Sequence, residues 1–134
     1  MGELLRDEVL QEHFTRNIQF FGEAGQERIS GAFVVVVGLG GVGSHAAHLL
    51  LRSGVGKLRI VDFDQVSLSS LNRHAVATRA DVGVPKAACL QRHFAAICPE
   101  IEVEALNCMY TDATEDVVLA GAPDYVLDAI DNID

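Results

Sequence analysis

Apolar side chains recur at Leu5, Val9, His13 or Phe14, Ile18 and Phe21. That spacing is close to the 3.6 residues of a helical turn and predicts an amphipathic helix or helix pair over residues 3–21. The pattern then changes. Phe33–Val37 is an unbroken run of strand formers, suited to a strand buried on both faces of a sheet. Helical periodicity returns from Gly41 to about Arg52 and closes at Ser53–Gly54. Leu58–Val61 is a second strand running into the acids of DFD, and an irregular polar stretch follows from Gln65 to about Val82. Pro85 opens a further helical segment, PKAACLQRHFAAIC, which Pro99 stops. Ile101–Leu106 alternates apolar and acidic residues as a strand does, Asp112–Ala120 reads as a short helix, and Tyr125–Leu127 as another buried strand.

Strands that alternate with helices imply an α/β fold with right-handed crossovers. The fold class expected is a Rossmann-like, doubly wound, mainly parallel sheet preceded by N-terminal helices. Such a sheet continues with more elements beyond the terminal DAIDNID. The expectation is therefore a truncated domain, with a reduced form of the fold as the alternative.

Acids outnumber Lys and Arg 19 to 10 in this 134-residue chain, and a net charge of −9 argues against a stand-alone nucleic-acid module. The longest strand-like apolar run stops at Gly38, far short of a membrane span. The opening MGELLRDEVLQEH carries four acids and reads neither as a secretory signal nor as a transit peptide. Cys89, Cys98 and Cys108 form no C-x-x-C pair and are expected to act as small buried hydrophobes. Together these features predict a cytoplasmic protein, attachment to an organelle surface being compatible with them.

GLGGVG at 38–43 lies between the strand Phe33–Val37 and the helix that follows. Gly38 permits the tight turn, Gly40 lets the backbone approach a phosphate, and Gly43 permits close helix–strand packing. Gly41 belongs to the same turn. The helix N-terminus then presents free N–H groups and partial positive charge to an anion. Asp62, nineteen residues after Gly43, ends the next strand where a carboxylate can accept from ribose hydroxyls. These features suit an NAD enzyme and an ATP enzyme equally.

The residues that follow separate the two. GLGGVGSHAAHLLLRSGVGKLRIVDFD, VDFDQVSLSSLNRHAVATRADVGVPKA and the terminal VLDAIDN together resemble the adenylation domain of ubiquitin-activating-type enzymes, a superfamily that includes the adenylyltransferases of thiamine and molybdopterin synthesis. In it the glycine turn is followed by D-x-D, S-N-L-N-R-Q, G-x-x-K and a D-N pair. TRNIQFFGEAGQERI and VLDAIDN are most similar to the tRNA threonylcarbamoyladenosine dehydratase branch. The resemblance divides the chain into an N-terminal helical segment at 1–30 and the N-terminal part of an ATP-binding adenylation domain at 31–134.

The resemblance implies that Arg73 and Lys86 contact phosphates and that Asp131 approaches a magnesium ion with Asn132 as its partner. Asp62, Asp64, Ser69, Ser70 and Asn72 then lie along the nucleotide. Arg16 matches an N-terminal Arg that reaches a nucleotide, in some relatives across a dimer. Arg73, Lys86 and Asp131 are the implied catalytic residues, and ATP with Mg²⁺ the implied cofactors. Two positions depart from the pattern. Ser70 replaces an Asn and offers a hydroxyl in place of an amide, and His74 replaces a Gln, which places a titrating group beside the phosphates.

The implied reaction activates a carboxylate by adenylation. The preferred acceptor is the threonylcarbamoyl group on tRNA adenosine 37, and a ubiquitin-like or sulfur-carrier protein is the rival. A homodimer is implied, with Phe20 and Phe21 as candidate contacts. An NAD-dependent oxidoreductase and an inactive adaptor subunit are the competing classes. The first has no use for Arg73 and Lys86, and the second would not be expected to keep them.

Other charged or polar residues have plainer readings. His45 and His48 on one helix face, and Asp7, Glu8 and Glu12 on another, are expected to be solvated. Arg79 and Asp81 read as a surface pair, Lys57 and Arg59 as solubility charges, and Asp128 as a strand end.

Overall fold

The computed structural model describes residues 8–131, which leaves Leu5, Asp7 and Asn132 outside the described part. Helices α1 (Glu8–His13) and α2 (Thr15–Ser30) come first, α2 breaking at Gly22, whose φ of 76° no helix accommodates. Strand β1 (Phe33–Val37) leads into α3 (Gly41–Ser53), which ends on Gly54 in the left-handed conformation. Next come β2 (Lys57–Asp62), 3₁₀ turns at Leu68–Ser70 and Arg79–Asp81, and α4 (Lys86–Ile97). The chain closes with β3 (Glu102–Asn107), the four-residue α5 (Glu115–Val118) and β4 (Tyr125–Asp128).

All strand pairs are parallel and the order is β3-β2-β1-β4. The direction of strand order reverses between β1 and β4, so the crevice at the C-terminal ends of these strands is where a doubly wound sheet binds ligands. β1 is buried along its whole length, as its uniform apolar run requires. Its side chains alternate between two cores. Val34 and Val36 pack with Leu10, Phe14, Leu51, Leu58, Ile60, Leu90 and Phe94 under α1 to α4, whereas Phe33, Val35 and Val37 join Val61 and Val118 on the α5 face. Gln26, fully buried, and Asn17 both donate to Ser53 O at the end of α3, at 2.9 and 3.1 Å, tying the N-terminal helices to the glycine-turn helix.

Three expectations are corrected here. Arg59 is no solubility charge. It points from β2 into the α5 face and is 6% exposed. There it donates to Glu104 at 2.8 Å and to the carbonyls of Val118 and Ala120 at 2.8 and 2.5 Å, beneath the Phe33 ring. A buried guanidinium with several oxygen acceptors satisfies carbonyls that would otherwise be stranded. Asp81 is no surface partner of Arg79, because its side chain is buried and engages Thr78, Arg92 and His93. β4 is not a buried strand, since it forms the sheet edge and Tyr125, Val126 and Leu127 are all exposed. Among the described residues no helix is long and apolar enough to cross a membrane.

Candidate functional site

The site is built on the β1–α3 turn. Gly38 has φ +93°, and a Cβ there would stand 2.7 Å from Ala129 O, so only glycine lets the turn pass the end of β4. At Gly43 a Cβ would meet Gly38 O at 1.6 Å, so the first turn of α3 lies directly on the glycine turn. Gly40 faces open space, where a Cβ would meet only Asp131 Oδ2, at 3.6 Å. No side chain caps α3. The N–H groups of its first turn, which no helix can satisfy internally, are thus left without a side-chain acceptor beside Gly40 and Asp131.

Around this open space is a cleft of about 300 Å³. It brings together Gly38, Gly40, Asp62, Asp64, Arg73, Lys86 and Asp131 of the expected residues. Asp62 braces the turn, its Oδ2 accepting from Leu39 N–H and its Oδ1 from Asp64 N–H, both at 2.7 Å. Lys86 starts α4, and its N–H donates to Asp64 O at 2.9 Å, which fixes the two cleft residues side by side. Arg73 lies with its aliphatic stem on Gly41, and its Nη1 donates only to Ser69 O and Asn72 Oδ1, at 2.9 and 2.8 Å. Among the described residues no carboxylate forms an ion pair with Arg73 or Lys86. Two cations left unpaired in so acidic a chain mark a place for an anion.

The remaining expected residues do not line the cleft. Gly41 and Gly43 act behind it, in the packing just described. Ser69 and Asn72 reach it only through Arg73. Ser70 is buried, donating to Ser67 O at 2.7 Å and accepting from Ser67 N–H at 3.0 Å, so its hydroxyl serves the 3₁₀ turn. Arg16 is exposed on α2 and donates to Gln19, at 3.3 Å. Asn132 lies outside the described residues. The opposite wall is Cys108, Met109 and Tyr110, after β3, with Phe63 and Ile130. Of these only Cys108 was named in the sequence, as a small buried hydrophobe, and it proves to be half-buried on the cleft wall. The rule that ligands sit beyond the C-terminal ends of parallel strands points to the loop after β3 and would have found them.

His74, expected to add a titrating group near the phosphates, is instead buried. Its Nδ1 accepts from Val76 N–H and Ala77 N–H at 3.3 and 3.0 Å, which requires an unprotonated Nδ1. Burial first, and then the charge of Lys86, lowers its pKa from 6.5 to about 4. Because the folded pKa lies below the unfolded one, stability is complete above about pH 6.5 and falls as the solution is acidified toward pH 4. His74→Gln is expected to flatten the slope of unfolding free energy between pH 7 and 4.5 in urea titrations, a slope worth up to about 3 kcal/mol. An unchanged slope would place the titration elsewhere.

Beside it, Asp81, Cys89 and His93 bring three ligand-type atoms within 4.8 Å of one another. Arg92 already occupies the Asp81 carboxylate as its cation, and His93 donates to it at 2.9 Å. The Thr78 N–H, first, and the His93 ring hold Asp81 well below the usual carboxylate range. The group thus pins the β2–α4 loop to α4. Burial pushes Cys89 and Cys98 up to about 11, so both remain thiols, in keeping with their reading as small hydrophobes.

With this geometry established, comparison with known proteins gives a consistent picture. The sequence profile of the ThiF family matches residues 14–134. The chain is 48% identical over 130 residues to tRNA threonylcarbamoyladenosine dehydratase 2 of Saccharomyces cerevisiae, covering 96% of this chain and 29% of that protein. It is 38% identical over 133 residues to the molybdopterin-synthase adenylyltransferase of Escherichia coli, covering 99% of this chain and 53% of the relative. The crystal structure of E. coli tRNA N6-threonylcarbamoyladenosine dehydratase in complex with ATP superposes with a TM-score of 0.90 at 31% identity, covering 95% of this chain and 52% of that one. The chain thus spans between about a third and a half of the length of these relatives. The match in sequence extends through the glycine turn, the Arg73 loop and Lys86, and the fold agrees over nearly all of the chain: it belongs to the ThiF family.

Proposed function

We propose that this chain carries the ATP site of an enzyme that activates a substrate carboxylate by adenylation. The observation that carries the reading is a cleft lined by two cations, Arg73 and Lys86, that have no ion pair among the described residues, beside an uncapped helix N-terminus. A triphosphate brings several negative charges to that place, and local cations with oriented N–H groups stabilise charge that builds on phosphoryl oxygens. In the proposed step a carboxylate oxygen attacks the α-phosphorus while the bond to the β-phosphate breaks. Pyrophosphate leaves with the bonding electron pair, and an acyl-adenylate remains.

Asp131 fits a role in holding magnesium: it is exposed, lines the cleft, and makes no hydrogen bond or ion pair among the described residues. One or two carboxylates plus phosphate oxygens and water suffice for that ion, and when bound it supplies positive charge to the polyphosphate. Asn132 is proposed as its neighbour, and Asp64, whose carboxylate is likewise without a partner, as a ribose or phosphate contact through water.

The proposed substrate is tRNA carrying a threonylcarbamoyl group, whose activated carbonyl is closed into a ring by an internal nitrogen as AMP leaves. Similarity to two proteins named as tRNA threonylcarbamoyladenosine dehydratases supports it. Similarity to the molybdopterin-synthase adenylyltransferase supports the rival, the C-terminus of a ubiquitin-like sulfur carrier. We also propose a cytoplasmic homodimer. Phe20 and Phe21, exposed at 83 and 48%, would be covered in it, and Arg16 would reach the partner's nucleotide. ATP–pyrophosphate exchange separates the acceptors. Stimulation by threonylcarbamoylated tRNA, falling steeply with added salt, is expected. Stimulation by a sulfur-carrier protein alone would select the rival.

A further inference from the structure

The structure assigns His45 as a positioning residue for Arg73, an assignment that rests on the proposed ATP site. Its sequence neighbourhood gives it only a solvated helix face. In the fold, His45 projects from the start of the second turn of α3, and its Nε2 lies 3.0 Å from Arg73 O. A carbonyl can only accept, so Nε2 carries the hydrogen and donates. The link joins two parts of the cleft that the chain keeps separate: the helix that continues the glycine turn, and the loop after β2.

Little else holds the Arg73 backbone. Its N–H donates to Ser70 O at 3.2 Å, a bond within its own turn. The nearest second tie to α3 is Ser44, fully buried, whose Oγ accepts from Ala75 N–H at 3.1 Å two residues on. The Arg73 stem lies against Gly41, where a Cβ would be 3.4 Å from Arg73 Cδ. The guanidinium is thus aimed by its own bonds to Ser69 O and Asn72 Oδ1, by a stem resting on Gly41 and by a carbonyl tethered by His45. Without the tether the guanidinium has more conformations to lose when it meets a phosphate, and affinity falls by that entropy.

Because His45 is exposed and the Ser44 tie is independent, His45→Ala should leave the unfolding midpoint nearly unchanged. The test is ATP affinity of this chain by calorimetry in a double-mutant cycle. His45→Ala is expected to weaken ATP about three- to tenfold, the worth of one hydrogen bond. His45→Gln, whose amide can donate at similar reach, should recover most of that loss. In an Arg73→Ala background His45→Ala should cost nothing further, whereas in a Lys86→Ala background the loss should persist. A general structural role predicts the same loss in every background, and that outcome, or no loss in the single variant, overturns the assignment while leaving the ATP site standing. A wild-type chain that binds no ATP overturns the proposed function and this assignment with it.

Discussion

Gly43→Ala is expected to destabilise the fold by about 3 kcal/mol or more, lowering Tm by about 10 °C. The added methyl would stand 1.6 Å from Gly38 O and 2.7 Å from Gly38 C, and both obstacles are backbone. A flexible side chain could swing aside, but here the whole glycine turn must move. That turn is itself held by Gly38 N–H to Val61 O at 2.8 Å and by Leu39 N–H to Asp62 at 2.7 Å. Gly83→Ala is the comparison. Its φ of +91° is the left-handed conformation, which Gly43 inside α3 does not adopt, but nothing lies within 4 Å, so it should cost only the left-handed penalty, about 1–2 kcal/mol. Urea unfolding of both variants decides the matter. A loss in Gly43→Ala no larger than that in Gly83→Ala would mean that the contact with Gly38 is not what makes position 43 a glycine.

The second large effect is chemical. Arg73→Ala and Lys86→Ala are each expected to lower the rate of acyl-adenylate formation about a hundred- to a thousandfold, the usual consequence of removing a charge-stabilising group from a reacting phosphoryl oxygen. Neither side chain is engaged by a carboxylate among the described residues, so folding stability should hardly change. Arg73→Lys should restore only part of the rate, because a point charge cannot reproduce the planar fork. Rapid-quench measurement of adenylate formation with a fixed acceptor reads all three variants. A full rate in Arg73→Ala would remove that residue from the phosphate site.

Much of this was legible in the sequence wherever a local rule was enough. Five adjacent strand formers read as a strand buried on both faces, and β1 is one. Ser53–Gly54 marked the end of α3, and Gly54 closes it at φ 93°. What escaped depends on contacts between distant residues. Asp81 was paired with its neighbour Arg79, but its partners Arg92 and His93 lie on the next helix, where only the folded loop places them. Arg59 sits in a strand whose second face is covered by Phe33 and the chain after α5, a cover that no window around β2 reveals. YVL reads as a buried strand because it is apolar, and among the described residues it is the outer strand of the sheet, with its side chains exposed. In the cleft, the residues of the turn and of the Arg73 loop were visible as motifs. Cys108, Met109 and Tyr110 belong to no motif and enter only because parallel strands bring their C-terminal ends together.

The glycine turn, Arg73, Lys86 and Asp131 are proposed to form a site for ATP and not for a nicotinamide dinucleotide. Calorimetric titration of this chain with ATP and with NADH, each with and without magnesium and repeated on Asp131→Ala, tests it most directly. Magnesium-dependent ATP binding that Asp131→Ala weakens at least tenfold, with no heat from NADH, is the predicted result. Tight NADH binding indifferent to magnesium and to Asp131 would contradict it.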